Sequence, residues 1–171
     1  MFRFIAFLFI PSLFVSPIQG QQPAKSFPED FTGIYRGPLE ITNTGKPTVT
    51  IPMEFHLLDT DTSDRFEYRL IYDGQPRNYT LIVNDLVSGD LSLDENNGII
   101  LPTKLIGNVI HSFFEVQGNL LSSRIAFYQD HVQFEILFSD LSTKERTGEN
   151  TEYEIYGYPI STVQKAILMK Q

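Results

Sequence analysis

The chain has 171 residues and a formal charge of −8, from 21 Asp and Glu against 13 Lys and Arg. That acid excess argues against nucleic acid, whose binding runs on basic contacts, and against an anionic membrane surface. There is no cysteine, so neither a disulfide nor a lipid-bearing thiol is available, and a domain of this size must stand on its core alone.

Residues 1–20 read as a secretory signal peptide. Arg3 supplies the positive start, Phe4 to Val15 form an apolar run broken by Pro11, and Gly20 offers a small residue before a cut at Gln21. A spanning helix needs about 20 apolar residues, more than this run has. The expected address is secreted or periplasmic, and the absence of cysteine suits a bacterial envelope. Residues 21–30, with two prolines, are expected to be a flexible lead-in. Residues 31–171 then form one domain.

Strict alternation of apolar and polar residues begins at Phe31 and predicts β-strands throughout. Phe31 to Thr42 has Tyr35, Leu39 and Ile41 on one parity, and Asn43 to Pro47 is a turn. Thr48 to Leu58 puts Ile51, Met53, Phe55 and Leu57 inward, with Pro52 expected at an edge or bulge because it has no N–H to donate. Arg65 to Tyr72 turns Phe66, Tyr68, Leu70 and Tyr72 inward. After Asp73-Gly74 the chain returns through Arg77 to Val83 with Tyr79, Leu81 and Val83 inward.

Leu91 to Ser139 is the most determined stretch. Its strands are Val87–Leu93, Ile99–Ile106, Val109–Gln117, Leu120–Tyr128 and His131–Ser139, the last four joined by Gly107-Asn108, Gly118-Asn119 and Gln129-Asp130. Pairing outward from the first turn sets Leu105 opposite Ile110, Thr103 opposite Ser112 and Leu101 opposite Phe114. The second sets Val116 opposite Leu121, Phe114 opposite Ser123 and Ser112 opposite Ile125. The third sets Phe127 opposite Val132, Ile125 opposite Phe134 and Ser123 opposite Ile136. All three put the apolar residues on one face, which a slip of one residue would destroy. On the other face Arg124 is expected between Phe113 and Glu135. Pro102 is expected at a bulge or a missing ladder bond.

Asp140 to Asn150 reads as a charged loop and Thr151 to Pro159 as a strand. Ser161 to Met169 reads as a short helix capped by Ser161 or Thr162, with Val163, Ala166 and Ile167 on its buried face; a further strand is the alternative. About ten short strands in order predict an up-and-down antiparallel barrel or a two-sheet sandwich. A transmembrane barrel is disfavoured, because the second face carries Glu54, His56, Glu67, Arg69, Lys104, Arg124 and Glu135 where lipid would need apolar groups.

Catalytic chemistry finds little support. No cysteine and no G-x-S-x-G element is present, and His56, His111 and His131 all fall on the polar parity as exposed strand residues. Asp59 to Asp64 alternates oxygen ligands like the start of a calcium loop. Its sixth position is Asp64 where glycine is needed, and its twelfth is Leu70 where glutamate is needed. No enzyme activity, metal or cofactor is expected.

Phe31-Thr32-Gly33-Ile34-Tyr35 resembles the G-x-W opening of the lipocalins and their calycin relatives, with Tyr35 in place of the tryptophan. Ile51 to His56 and Asp94 to Ile99 are similar to segments of secreted bacterial proteins. The calycin resemblance implies a cup holding a small apolar or amphipathic ligand or lipid. The inward residues that would line it are Tyr35, Phe55, Tyr68, Tyr79, Leu101, Thr103, Ser112, Phe114, Ser123, Ile125, Phe134 and Ile136. The alternative is an envelope interaction module whose interior is simply packed.

Overall fold

The structure, a computed structural model, describes residues 26–171; the segment read as a signal peptide and residues 21–25 lie outside them. Ten strands form a closed barrel: β1 (Gly33–Asn43), β2 (Val49–Asp59), β3 (Arg65–Tyr72), β4 (Gln75–Asp85), β5 (Asp90–Asp94), β6 (Ile100–Ile106), β7 (Val109–Val116), β8 (Asn119–Phe127), β9 (His131–Asp140) and, after an excursion, β12 (Thr162–Lys170). Each of β1 to β8 pairs antiparallel with the next, and β12 closes the ring between β9 and β1. The predicted meander is therefore present, and it closes as a barrel. Closure leaves none of these ten strands as a free edge.

Two of the three predicted registers hold. Leu105 faces Ile110 and Thr103 faces Ser112; Ile125 faces Phe134 and Ser123 faces Ile136. The register expected around Gly118-Asn119 is displaced by two residues. Gln117 and Gly118, both at positive φ, form the turn, so Val116 faces Asn119, Phe114 faces Leu121 and Ser112 faces Ser123. A primed hairpin turn asks for positive φ at both central residues, and Gln117 meets that demand in place of Asn119. The slip is even, so every side chain keeps its face. On the outer wall Arg124 does face Glu135, but its other neighbour is His111, while Phe113 faces Ser122. Glu135 is held by Lys165 at 3.2 Å.

The C-terminal helix is corrected to a strand. β12 sends Ala166 and Leu168 inward and leaves Ile167 more than half exposed. The expected strand at Thr151–Pro159 is also corrected: only Ile155–Gly157 (β11) is extended, and it pairs with Glu145–Thr147 (β10) as a separate two-stranded sheet. This hairpin leaves the barrel between β9 and β12 and carries exposed Tyr153, Ile155, Tyr156 and Tyr158.

Four prolines, Pro38, Pro52, Pro76 and Pro102, sit inside the ring. Pro38 and Pro52 face each other across β1 and β2, which the ladder tolerates where the facing pair exchanges no hydrogen bond. The β1–β12 pairing skips Gly37 and Pro38, resuming at Leu39–Ala166. Gly37 has no side chain to spare here, because a Cβ would collide with the carbonyl oxygen of Ile167. The β6–β7 pairing stops at Thr103, one residue short of Pro102, the missing bond that proline demands.

The two ends of the barrel differ. At one end Phe27 and Phe31, the latter in a 3-10 turn over Glu29–Phe31, are buried against Phe127, with ring centroids 5.4 Å away in each case. The Tyr35 hydroxyl donates to the Phe31 carbonyl. The part of the lead-in within the described residues is thus built into the core. Phe55 continues the cluster, 6.1 Å from Phe127 and 4.9 Å from Tyr68. The other end carries the β1–β2, β3–β4 and β7–β8 turns, the β5–β6 loop and the excursion.

Candidate functional site

Because strands alternate faces, the inward set continues beyond the apolar residues to the ends of the strands. On β4 it runs from Leu81 and Tyr79 through Arg77 to Gln75; on β12, from Leu168 and Ala166 to Gln164. Near the turn-bearing end these inward residues do not meet. They enclose a cavity of about 750 Å3, within the range of small-molecule sites. Its body is Tyr68, Leu70, Leu93, Leu101, Phe114, Leu121 and Ile136. Its rim is Tyr72, Gln75, Arg77, Glu95, Ile99, Gln117, Asn119 and Gln164.

Of the residues proposed from sequence, Tyr68, Tyr79, Leu101, Ser112, Phe114, Ser123 and Ile136 line this cavity. Tyr35, Phe55, Ile125 and Phe134 instead belong to the packed core beneath and beside it, each at most 2% exposed. Thr103 is also buried, with its hydroxyl 2.8 Å from that of Ser112. Alternation tells inward from outward but not height along the barrel, so it cannot separate packed floor from open cup. The rim residues Gln75, Arg77, Glu95 and Gln164 escaped the sequence reading. They share parity with Tyr79, Leu93 and Ala166, and that parity was the signal; their polarity made them resemble turn residues.

The cavity has a polar side. Tyr68, Tyr72 and Tyr79 stand together on β3 and β4, the Tyr68 and Tyr79 rings 5.9 Å apart and edge to face. Burial pushes all three phenols above their ordinary value, and for Tyr79 the nearby Glu95 carboxylate adds to the rise. They are therefore neutral hydrogen-bond donors at physiological pH. Tyr68 is 3% exposed, and its hydroxyl makes no hydrogen bond within the described residues. The Arg77 guanidinium lies close enough to Tyr79 to offset part of its rise.

The outer wall shows a different chemistry. Glu54 lies 3.1 Å from Arg36 and 2.9 Å from His56, and the His56 hydrogen bond leads in holding its carboxyl below the usual range. His56, expected exposed, is buried between Ile34 and Arg69 on neighbouring strands. His131 contacts Asp130 at 2.7 Å and stacks on Tyr128 at 4.5 Å. Among the described residues no helix is long and apolar enough to cross a membrane.

No protein-family model and no curated protein matches the chain. Solved structures do. A DUF3598-family protein of unknown function from Nostoc punctiforme superposes with a TM-score of 0.60 at 11% identity, over 84% of this chain and 48% of that one. The chain therefore spans about half the length of the Nostoc protein. An S-type phycobiliprotein lyase from Guillardia theta superposes with a TM-score of 0.55 at 9% identity, over 84% of this chain and 89% of the lyase. At these identities the likeness is one of fold alone: the chain shares its overall barrel fold with these two proteins.

Proposed function

We propose that this chain is a secreted or periplasmic binding protein that holds a small apolar or amphipathic molecule inside its barrel, and that its role is binding rather than catalysis. The observation that carries this reading is the cavity itself. About 750 Å3 of largely apolar interior stays open at one end of a barrel whose other end is packed with aromatic rings. Leaving such a volume unfilled forgoes contacts that a packed core would make, and a ligand restores them. The likeness in fold to a phycobiliprotein lyase is consistent with a small molecule held in a barrel. The address rests on the composition of residues 1–20.

Ser123→Leu tests the reading. Ser123 lines the cavity, and its side chain makes no hydrogen bond within the described residues, so added volume enters the cavity without costing a bond. The wild type should bind Nile red with a rise in fluorescence, and the variant should keep its circular dichroism while losing most of that binding. A wild type that leaves the dye dark, and that carries no small molecule in native mass spectra when purified from its own host, would end the binding reading in favour of a packed module.

A further inference from the structure

We infer that the occupant is an apolar monocarboxylate, its acid group held at the mouth by Arg77 and Tyr79 and its apolar body passing inward. This rests on the binding reading above and adds to it the sign and place of the ligand's charge. Arg77 is the one cation among the described residues that line the cavity, and Glu95 the one anion. Of the outer-wall arginines, Arg36 and Arg69 lie within 3.1 Å of a glutamate, as does the excursion's Arg146, while Arg124 faces a Glu135 already held by Lys165. Arg77 has no carboxylate partner among the described residues, and its neighbour across the ladder is Leu70.

The β3–β4 wall is also a wall of donors. A guanidinium only donates. The phenols of Tyr68, Tyr72 and Tyr79 are kept protonated by burial. Tyr68, nearly wholly buried and without a partner for its hydroxyl, points the same demand deeper into the cavity. A neutral phenol can donate or accept, so it is the Arg77 guanidinium that demands an acceptor, and an arginine fork suits a carboxylate. The rest of the interior is mostly apolar, Leu93, Leu101, Leu121 and Ile136 with the small hydroxyls of Ser112 and Ser123 among them. Glu95 sets the upper limit on charge: it lies beside Tyr79, with its carboxylate 3.2 Å from the Asn97 amide, and a second negative charge on the ligand would be repelled there.

The test is displacement of Nile red by laurate and by methyl laurate, molecules of nearly equal size of which only the first carries a charge. Laurate should displace the dye from the wild type at a concentration about tenfold to a hundredfold below that of the ester, the span a charge-assisted pair provides. Arg77→Gln should bring the two within about threefold by weakening laurate alone, and Arg77→Lys should keep part of the preference. Arg77 is exposed and outside the core, so the variants should fold, which an unchanged thermal melt by circular dichroism checks, and each displacement is referred to that variant's own Nile red affinity. Equal displacement by acid and ester, unaffected by Arg77→Gln, would overturn the carboxylate proposal and leave the binding protein standing. A wild type that never takes up the dye would overturn both.

Discussion

Ser112 and Ser123 face each other across β7 and β8 and do different jobs. The Ser112 hydroxyl meets that of Thr103, which also donates to the Leu101 carbonyl at 3.2 Å. Enlarging Ser112 therefore removes a partner from a buried hydroxyl as well as filling space, which costs about 1–3 kcal/mol. Ser123 carries no such debt. The phenols pose the residue-scale question of how dry the interior is. Burial raises the Tyr35 hydroxyl to about 12 and raises Tyr68 and Tyr72 as well. Because the folded value lies above the unfolded one near 10, the folded chain keeps these protons where the unfolded chain sheds them. The stabilisation is complete below pH 10 and is lost as pH rises toward and through 12. An alkaline absorbance titration should thus show a late class of tyrosines that ionises together with the loss of circular dichroism. A single early wave with the fold intact would mean that water reaches the whole interior.

Among the elements, β12 is where sequence and structure part most. Val163, Ala166 and Ile167 fall at helical spacing, and that reading is also open to a strand. As a strand, the inward set is Gln164, Ala166 and Leu168, polar at the rim and small in the middle, while Ile167 and Met169 face solvent. The period-2 signal is nearly cancelled by this exchange, because a strand that forms a rim cannot be apolar along its whole inner face. The β7–β8 turn was obscured for a related reason: a two-residue slip leaves both faces unchanged, so parity had no power to detect it. The role of β12 can be measured. It bonds to β9 on one side and β1 on the other, and the C-terminal Gln171 N–H reaches the Ile34 carbonyl at 2.9 Å. Truncation after Pro159 removes two ladders at once and exposes two edges. The truncated chain should show no cooperative thermal transition and should aggregate. A transition lowered by only a few degrees would mean that the barrel closes without this strand.

At the scale of the molecule, the parts that were legible are those that alternate strongly between two environments. Strand order, face and the registers around Thr103–Ser112 and Ile125–Phe134 follow from that alternation. The division of the inner face into packed and open halves does not, since it depends on how rings from several strands meet in space. Phe27 and Phe31 decide that division. Phe27 comes from the lead-in, where no periodicity marks it, and Phe31, which alternation reads as the start of the first strand, lies instead in the 3-10 turn before β1; together they fill the end around Phe127. The asymmetry of the barrel, plugged at one end and open at the other, is thus set by a short segment outside the meander. Phe27→Ala should cost about 3–5 kcal/mol for a buried phenylalanine, or roughly 6–20 °C in melting temperature for a domain of this size. It should also let water in behind the cavity, so that Nile red bound at moderate temperature dissociates faster than from the wild type while Ser123 and Arg77 remain in place. If the melting temperature falls and dye dissociation is unchanged, the plug stabilises the barrel without sealing it, and the cavity is insulated by the Tyr35, Phe55 and Phe134 layer alone.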